Sequence, residues 1–196
     1  MVFLGSSKPE SVKCEKARER KHSLPDPFSR HPHALPRAPQ PNPFPRMRGR
    51  GFGWLSFSQF HFDAAVAAIG DGSVVYIGGN GAINVPDSTI AALAARYEAT
   101  GHPCDLTVVH TSGLGDQAGA GTDRLALPGM LKRVILGHYG MSPVIAKLAL
   151  SGEIEAYNFP QGVLSQLMRR VAGGHYGMLS RIGLGTFVDP HNDGGK

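Results

Sequence analysis

The stretch DGSVVYIGGNGAINVPDSTIAALAARYEATG, residues 71–101, contains the pattern that decides the fold. It begins with a β-branched, nearly continuous apolar run that ends at Gly78 and Gly79, which is typical of a buried strand. A glycine-rich turn follows. Pro86 then suits the first turn of a helix whose apolar residues recur at helical spacing until Gly101 can end it. The stretch therefore predicts a strand, a tight loop and a helix, in that order.

The same alternation continues on both sides of this stretch. A short helix, FDAAVAAIG at 62–70, precedes it. Three predicted strands follow it, each running into a loop: DLTVVHTS at 105–112, MLKRVILGHYG at 130–140 and IEAYNFPQG at 154–162. Two predicted helices also follow it: SPVIAKLALSG at 142–152 and PQGVLSQLMRRVAGG at 160–174. Ser142 is expected to cap its helix, with Pro143 at the first helical position.

This alternation predicts an α/β fold with an open, mostly parallel sheet and helices on both faces. Ligands of such sheets bind beyond the carboxyl ends of the strands. The loops that follow the predicted strands are therefore the candidate sites.

The front of the chain has a different composition. Residues 1–53 hold 9 of the 15 prolines and 11 of the 20 Lys and Arg residues, against 4 acidic residues. Proline blocks helix and sheet hydrogen bonds, and few apolar groups are available to offset the cost of ordering, so we expect 1–53 to be disordered and 54–196 to fold. Three other interpretations stay open for 1–53: a basic arm for nucleic acid, an organelle transit peptide, or sequence upstream of a start at Met47.

Charge and cysteine usage exclude several classes for the folded part. Residues 54–196 hold 9 basic and 11 acidic residues, so we expect no nucleic-acid partner for them. The sequence contains no apolar run of 18 residues, which predicts no membrane span. Two cysteines, Cys14 and Cys104, do not make a disulfide framework and are typical of a reducing compartment.

Three loops carry the candidate chemistry. GGNGAINVP, 78–86, can turn main-chain N–H groups toward a phosphate or an oxyanion, or can simply be a tight turn. In TSGLGDQAGAG, 111–121, a Ser112 nucleophile with His110 as its base is disfavoured, because no G-x-S-x-G elbow is present. In AYNFPQG, 156–162, Asn158 and Gln161 can orient a carboxylate or can serve as turn and cap residues.

The histidines do not predict a metal site. His102, Cys104 and His110 could act as ligands, but their spacing matches no paired metal motif. We therefore expect no metal.

The order of these motifs resembles the family I coenzyme A transferases, of the acyl-CoA:acetate/3-ketoacid and propionate types. The resemblance covers about residues 60 to 196. It rests on DGSVVYIGGNGAINVP, HTSGLGD, KRVILGHYGMSP, EAYNFPQGVLSQLMR and GLGTFVDP followed by GGK.

The resemblance implies an open α/β fold shared with some sugar-phosphate isomerases, and transfer of coenzyme A from an acyl-CoA to a small carboxylic acid. In the family, a glutamate attacks the thioester, giving an anhydride and then a glutamyl-CoA thioester. No permanently bound cofactor is implied, because coenzyme A is a substrate. The location implied is the cytoplasm, or the mitochondrial matrix in a eukaryote, and the role is in ketone-body or short-chain acyl-CoA metabolism.

The resemblance also assigns site residues to three regions. It implies contacts to the oxyanion and to coenzyme A from Gly78, Gly79, Asn80, Gly81 and Asn84. It implies contacts to the carboxylic acid from Asn158, Gln161 and Gly162. The seam that faces the second half of the family architecture is implied for Gly183, Gly185, Phe187 and Asp189.

The sequence departs from the family pattern at two places. Asn80 and Asn84 stand where the family signature has Phe and Gly, and the S-E-N-G-like motif that carries the nucleophile is missing. We therefore expect an N-terminal, α-type half that is inactive without a glutamate-bearing second half or subunit, in a homo- or hetero-oligomer. The alternative is a non-catalytic domain that binds coenzyme A or another protein.

Overall fold

The computed structural model describes residues 2–3 and 62–196, and its centre is a five-stranded sheet. The strands lie side by side in chain order, and the second to fifth are parallel, while the first pairs antiparallel with the second. They are β1 (Val2–Phe3), β2 (Val74–Tyr76), β3 (Leu106–Val109), β4 (Leu131–Leu136) and β5 (Glu155–Asn158). The open, mostly parallel α/β sheet is thereby confirmed.

The helices occupy the connections between these strands and the segment after β5. They are α1 (62–67), α2 (Asp87–Thr100), a 3-10 helix (Thr122–Leu125), α3 (Pro143–Leu150) and α4 (Gln161–Ala172). Gly101 ends α2 as the sequence predicts, because its left-handed φ of 75° lets its N–H donate to the Tyr97 carbonyl at 2.7 Å.

The expectation for residues 1–53 lies almost wholly outside the described residues. Of these residues the structure describes Val2 and Phe3, whose main chain forms β1 at the edge of the sheet. There Val2 is opposite Tyr76 and Phe3 is opposite Val75 in an antiparallel ladder with β2.

The core forms where one row of strand residues meets α2. Val75, Val108 and Val134 are neighbours in the register of β2, β3 and β4, and all three are fully buried. Ile90 and Leu93 of α2 belong to the same buried cluster. Burial of these β-branched and aliphatic side chains holds the strand ends, and therefore the loops beyond them, in fixed positions.

The start of α3 differs from the prediction. Ser142 occupies the cap position, but its hydroxyl donates to the Leu114 carbonyl at 3.0 Å and does not cap the helix. Asp123 of the 3-10 helix caps it instead, because its Oδ1 accepts the N–H groups of Val144 and Ile145, each at 3.1 Å. Burial raises the pKa of the Asp123 carboxyl, and the two N–H donors oppose that shift.

Candidate functional site

The loop after β2 forms a turn that is packed on one side and open on the other. Asn80 and Ile83 exchange main-chain hydrogen bonds of 3.0 and 2.9 Å across its tip. Gly79 has a φ of 143°, and a Cβ there would meet Leu114 at 3.0 Å. No atom lies within 4 Å of where a Cβ would stand on Gly78 or Gly81, so the main chain is accessible there. Asn84, also at positive φ, closes the turn, and its carbonyl lies against Gly79.

This loop is joined directly to the loop after β3. Gly81 forms a parallel bridge with Leu114, and its carbonyl accepts the Gly115 N–H at 3.1 Å. The candidate oxyanion residues and the TSGLGD segment therefore form one continuous edge beyond the carboxyl ends of the strands, as the parallel sheet requires.

Three polar side chains converge farther along that edge. The Ser112 hydroxyl lies 3.3 Å from Nε2 of His138, and the Gln161 amide donates to the same hydroxyl at 3.4 Å. They come from the loops after β3 and β4 and from the first residue of α4. The sequence predicted Gln161 as a site residue. It did not single out His138, although this residue lies in the motif KRVILGHYGMSP, shortly after the end of a strand.

The Ser112–His110 pairing considered from sequence does not form. Nδ1 of His110 hydrogen-bonds the main-chain carbonyl of Ser112, and the Ser112 hydroxyl lies against His138 instead. His110 is fully buried, and burial lowers its pKa to about 4, so the ring is neutral at physiological pH. His110 thus holds the β3 loop as a neutral donor.

Asn158 and Gly162 lie near Gln161 in the chain but have different environments. The Asn158 amide donates to the Gly137 carbonyl at 2.9 Å, which ties β5 to the loop after β4. Its main-chain N–H donates to the Gly195 carbonyl at 2.7 Å. Gly162 lies in the first turn of α4, is exposed, and has no atom within 4 Å of where a Cβ would stand.

The segment at 183–189 forms a turn around Asp189. The Asp189 carboxylate accepts the Gly185 N–H at 2.7 Å and the His191 N–H at 3.0 Å, and these bonds lower its pKa. The Gly183 carbonyl accepts the Thr186 hydroxyl at 2.6 Å. Phe187 is 54% exposed, so the turn presents an aromatic side chain to solvent.

Comparison of the sequence with models of protein families identifies the family of this chain. The family model described as "Coenzyme A transferase" matches residues 61–195. The chain belongs to the coenzyme A transferase family. The resemblance inferred from the motif order is thereby confirmed.

Two curated transferases and one solved structure are similar to this chain. Acetate CoA-transferase YdiF of Escherichia coli K12 is 43% identical over 126 residues, which are 64% of this chain and 24% of that protein. Caffeate CoA-transferase of Acetobacterium woodii is 36% identical over 132 residues, 67% of this chain and 25% of that protein. A crystal structure of the YdiF acyl-CoA transferase of Escherichia coli O157:H7, described as a thioester complex with CoA, is 43% identical. It has a TM-score of 0.66 and covers 69% of this chain and 27% of that one. The chain thus spans about a quarter of the length of these relatives.

The described glutamates of this chain lie away from the site. Glu155 is the first residue of β5 and pairs with Arg133 at 2.7 Å, so it lies at the amino end of the strand. Glu153 precedes β5 and accepts the Ser151 hydroxyl at 2.8 Å. Glu98 lies near the carboxyl end of α2, at the side where β3 begins. Among residues 62–196, no glutamate therefore reaches the loops beyond the strand ends.

Asp71, His102 and Cys104 form a cluster of potential metal ligands at the opposite edge, before β3. Asp71 accepts the Cys104 N–H at 2.9 Å and contacts the His102 ring at the same distance, which accounts for the grouping without a metal. Cys104 is disulfide-bonded, so its sulfur is committed elsewhere.

Within the part of the chain that the structure describes, no helix combines the length and the apolar character needed to cross a membrane.

Proposed function

We propose that this chain is the α-type part of an acyl-CoA:carboxylate coenzyme A transferase and works only with a glutamate-bearing second part. The second part would be a further segment of the protein or a separate subunit, in a homo- or hetero-oligomer. The reaction moves coenzyme A from an acyl-CoA to a small carboxylic acid, in the cytoplasm or in the mitochondrial matrix of a eukaryote, with no permanently bound cofactor.

One observation carries the proposal: the loop Gly78–Gly81 is open on one side of its main chain and is held from the other side by Leu114. Main-chain N–H groups in such a loop can stabilise the oxyanion that develops when a thioester carbonyl is attacked. Loss of one oxyanion donor typically costs about 10²- to 10³-fold in turnover. Asn80 and Asn84 shape this turn.

The chemistry follows the family's double displacement. A glutamate oxygen of the second part attacks the acyl carbonyl, the C–S bond breaks, and the coenzyme A thiolate leaves. The thiolate then attacks the glutamyl carbonyl of the anhydride, which releases the first acid and leaves a glutamyl-CoA thioester. The second acid reverses these steps and takes up the coenzyme A. Each attack passes through a tetrahedral oxyanion, the species that the Gly78–Gly81 loop is proposed to stabilise.

The remaining site residues have two proposed roles. Gln161, Asn158 and Gly162 contribute to the region that receives the acid, Gln161 through its side chain and Asn158 by fixing the loop after β4. The turn from Gly183 to Asp189 lines the seam with the second part. Support for a seam comes from a group of exposed apolar side chains around this turn: Tyr176, Leu179, Ile182, Leu184 and Phe187.

The test is complementation. The chain is mixed with the part of the Escherichia coli YdiF protein that it does not align with, and transfer of coenzyme A from an acyl-CoA to acetate is measured. We expect no transfer above background for the chain alone and at least about a thousandfold more for the mixture, which we call the complemented enzyme.

Two outcomes would contradict the proposal. Substantial transfer by the chain alone would place the nucleophile within it. Stable association with the second part and with CoA by calorimetry, but no transfer, would favour the non-catalytic binding domain instead.

A further inference from the structure

The loop after β2 is attached to the loop after β3 at two points. Its middle is held at Gly81, whose carbonyl accepts the Gly115 N–H at 3.1 Å. Its far end is held by Asp87, the first residue of α2, whose Oδ1 accepts the Gly121 N–H at 2.8 Å. The exposed stretch 82–84 lies between these two points, so it is anchored on both sides.

The two anchor points on the loop after β3 are themselves joined. Gly115 and Gly121 form an antiparallel bridge. A Cβ on Gly121 would stand 2.6 Å from the Leu114 carbonyl oxygen and 2.7 Å from Cα of Gly115, so the main chains touch directly. These contacts close a ring that runs from Gly81 across the bridge to Asp87 and back along the chain. In this ring, the link to Asp87 is made by a side chain and the other links by the main chain.

A two-bond ion pair fixes the direction of the Asp87 carboxylate. Nε of Arg124 donates to Oδ1 of Asp87 and Nη2 donates to Oδ2, each at 2.9 Å. The hydrogen bonds from Arg124 hold the pKa of the Asp87 carboxyl below its usual range, so it is an ionised acceptor at physiological pH. The two side chains are 39% and 41% exposed, and ion pairs so exposed add little stability. The pair therefore orients the carboxylate more than it stabilises the fold.

The ring constrains the segment whose main chain is open to a ligand. Gly78–Gly81 enters the ring at its last residue, and Gly79 contacts the far half of the loop. A Cβ on Gly79 would stand 3.2 Å from the Asn84 carbonyl oxygen. Asn84 is three residues before Asp87, so a change in the anchor at Asp87 reaches Gly79 through a short stretch of chain. A displacement of about 1 Å in a reacting site can cost about 100-fold in rate.

We propose that Asp87 is a positioning residue that fixes the Gly78–Gly81 loop by accepting the Gly121 N–H, with Arg124 orienting its carboxylate. The inference rests on the proposed function, because it assigns Asp87 a part in the transfer reaction. Asp87 acts through the main chain of the loop.

The first test is amide hydrogen exchange, followed by NMR on the chain alone. Asn80 and Ile83 bond each other across the loop, so their N–H groups report its order. Asp87→Ala should speed their exchange about tenfold, because the loop loses its far anchor. Asp87→Asn keeps an oxygen that can accept the Gly121 N–H, so it should exchange nearly like the parent. Glu98→Ala, the matched control, removes a charge from the exposed far end of the same helix and should change nothing.

The second test is steady-state kinetics of the complemented enzyme. Asp87→Ala should lower kcat about tenfold or more with little change in the KM for acyl-CoA, because the oxyanion forms only beyond the ground state. Asp87→Asn should recover most of this loss. Exchanging the pair, Asp87→Arg with Arg124→Asp, restores the ion pair but provides no acceptor for the Gly121 N–H, so the loss should remain.

Three results would overturn the inference. They are unchanged exchange at Asn80 and Ile83 in Asp87→Ala, an Asp87→Asn variant as slow as Asp87→Ala, and full turnover in the exchanged pair. The exchanged pair keeps its ion pair, so it decides the matter even if Asp87→Ala does not fold. Faster exchange in Asp87→Ala without any transfer by the parent mixture would count against the proposed function and support the positioning of the loop.

Discussion

Replacing Gly79 by alanine is expected to lower turnover of the complemented enzyme about 100-fold or more. Gly79 has a φ of 143°, a region that L-residues rarely adopt, and the new Cβ would lie 3.0 Å from Leu114 and 3.2 Å from the Asn84 carbonyl. The loop must therefore shift, and the N–H groups proposed to face the oxyanion shift with it. Steady-state kinetics of acyl-CoA:acetate transfer give the measurement.

Two further variants separate the site from the fold. Gly152→Ala imposes a positive-φ strain, at 72°, in a turn before β5 with no neighbouring atom within 4 Å. It should cost about 1 kcal/mol of stability and leave turnover unchanged. Gly78→Ala adds a methyl group on the open side of the loop, so it should preserve stability and still reduce turnover. Full activity in both Gly78→Ala and Gly79→Ala would contradict the oxyanion role of the loop.

Replacing Gly137 by alanine is expected to reduce the free energy of unfolding by about 2 to 3 kcal/mol. A Cβ at Gly137 would stand 2.4 Å from the Thr111 carbonyl and 2.5 Å from Cγ of Gln161. The Gln161 side chain can move away, but the carbonyl belongs to the loop after β3 and cannot move without separating two strand ends. For a chain of this size, the melting temperature should fall roughly 5 to 10 °C, measured by thermal unfolding.

Gly177→Ala is the matched control for this substitution. Gly177 lies after α4, has no atom within 4 Å of where a Cβ would stand, and does not lie at positive φ. Its melting temperature should match the parent. If Gly137→Ala also melted within about 1 °C of the parent, the close approach of the β3 and β4 ends would be wrong.

Local patterns in the sequence were sufficient to predict the fold. The apolar run at 74–77 and the helical spacing after Pro86 predicted β2 and α2, because a strand buried in a parallel sheet and a helix with one buried face have distinct periodicities. Gly101 was predictable for a similar reason, since a helix end at positive φ favours glycine. In α4, however, Leu164 is the one buried residue, so the described chain leaves the rest of the apolar stripe of this helix uncovered.

The site was less predictable because its contacts depend on register between strands. Asp123 caps a helix about 20 residues later in the chain, so no capping motif next to that helix could predict the contact. Ser112 meets His138 across 26 residues and Gln161 across 49. These meetings follow from the alignment of β3, β4 and β5, which a single sequence does not specify.

The central claim is that the nucleophilic glutamate lies outside this chain, and locating the covalent intermediate tests it most directly. The complemented enzyme is incubated with acyl-CoA without an acceptor acid, digested, and searched by mass spectrometry for a peptide that carries coenzyme A on a glutamate. We expect the adduct on a peptide of the second part and none on this chain. An adduct on any glutamate of this chain would contradict the account.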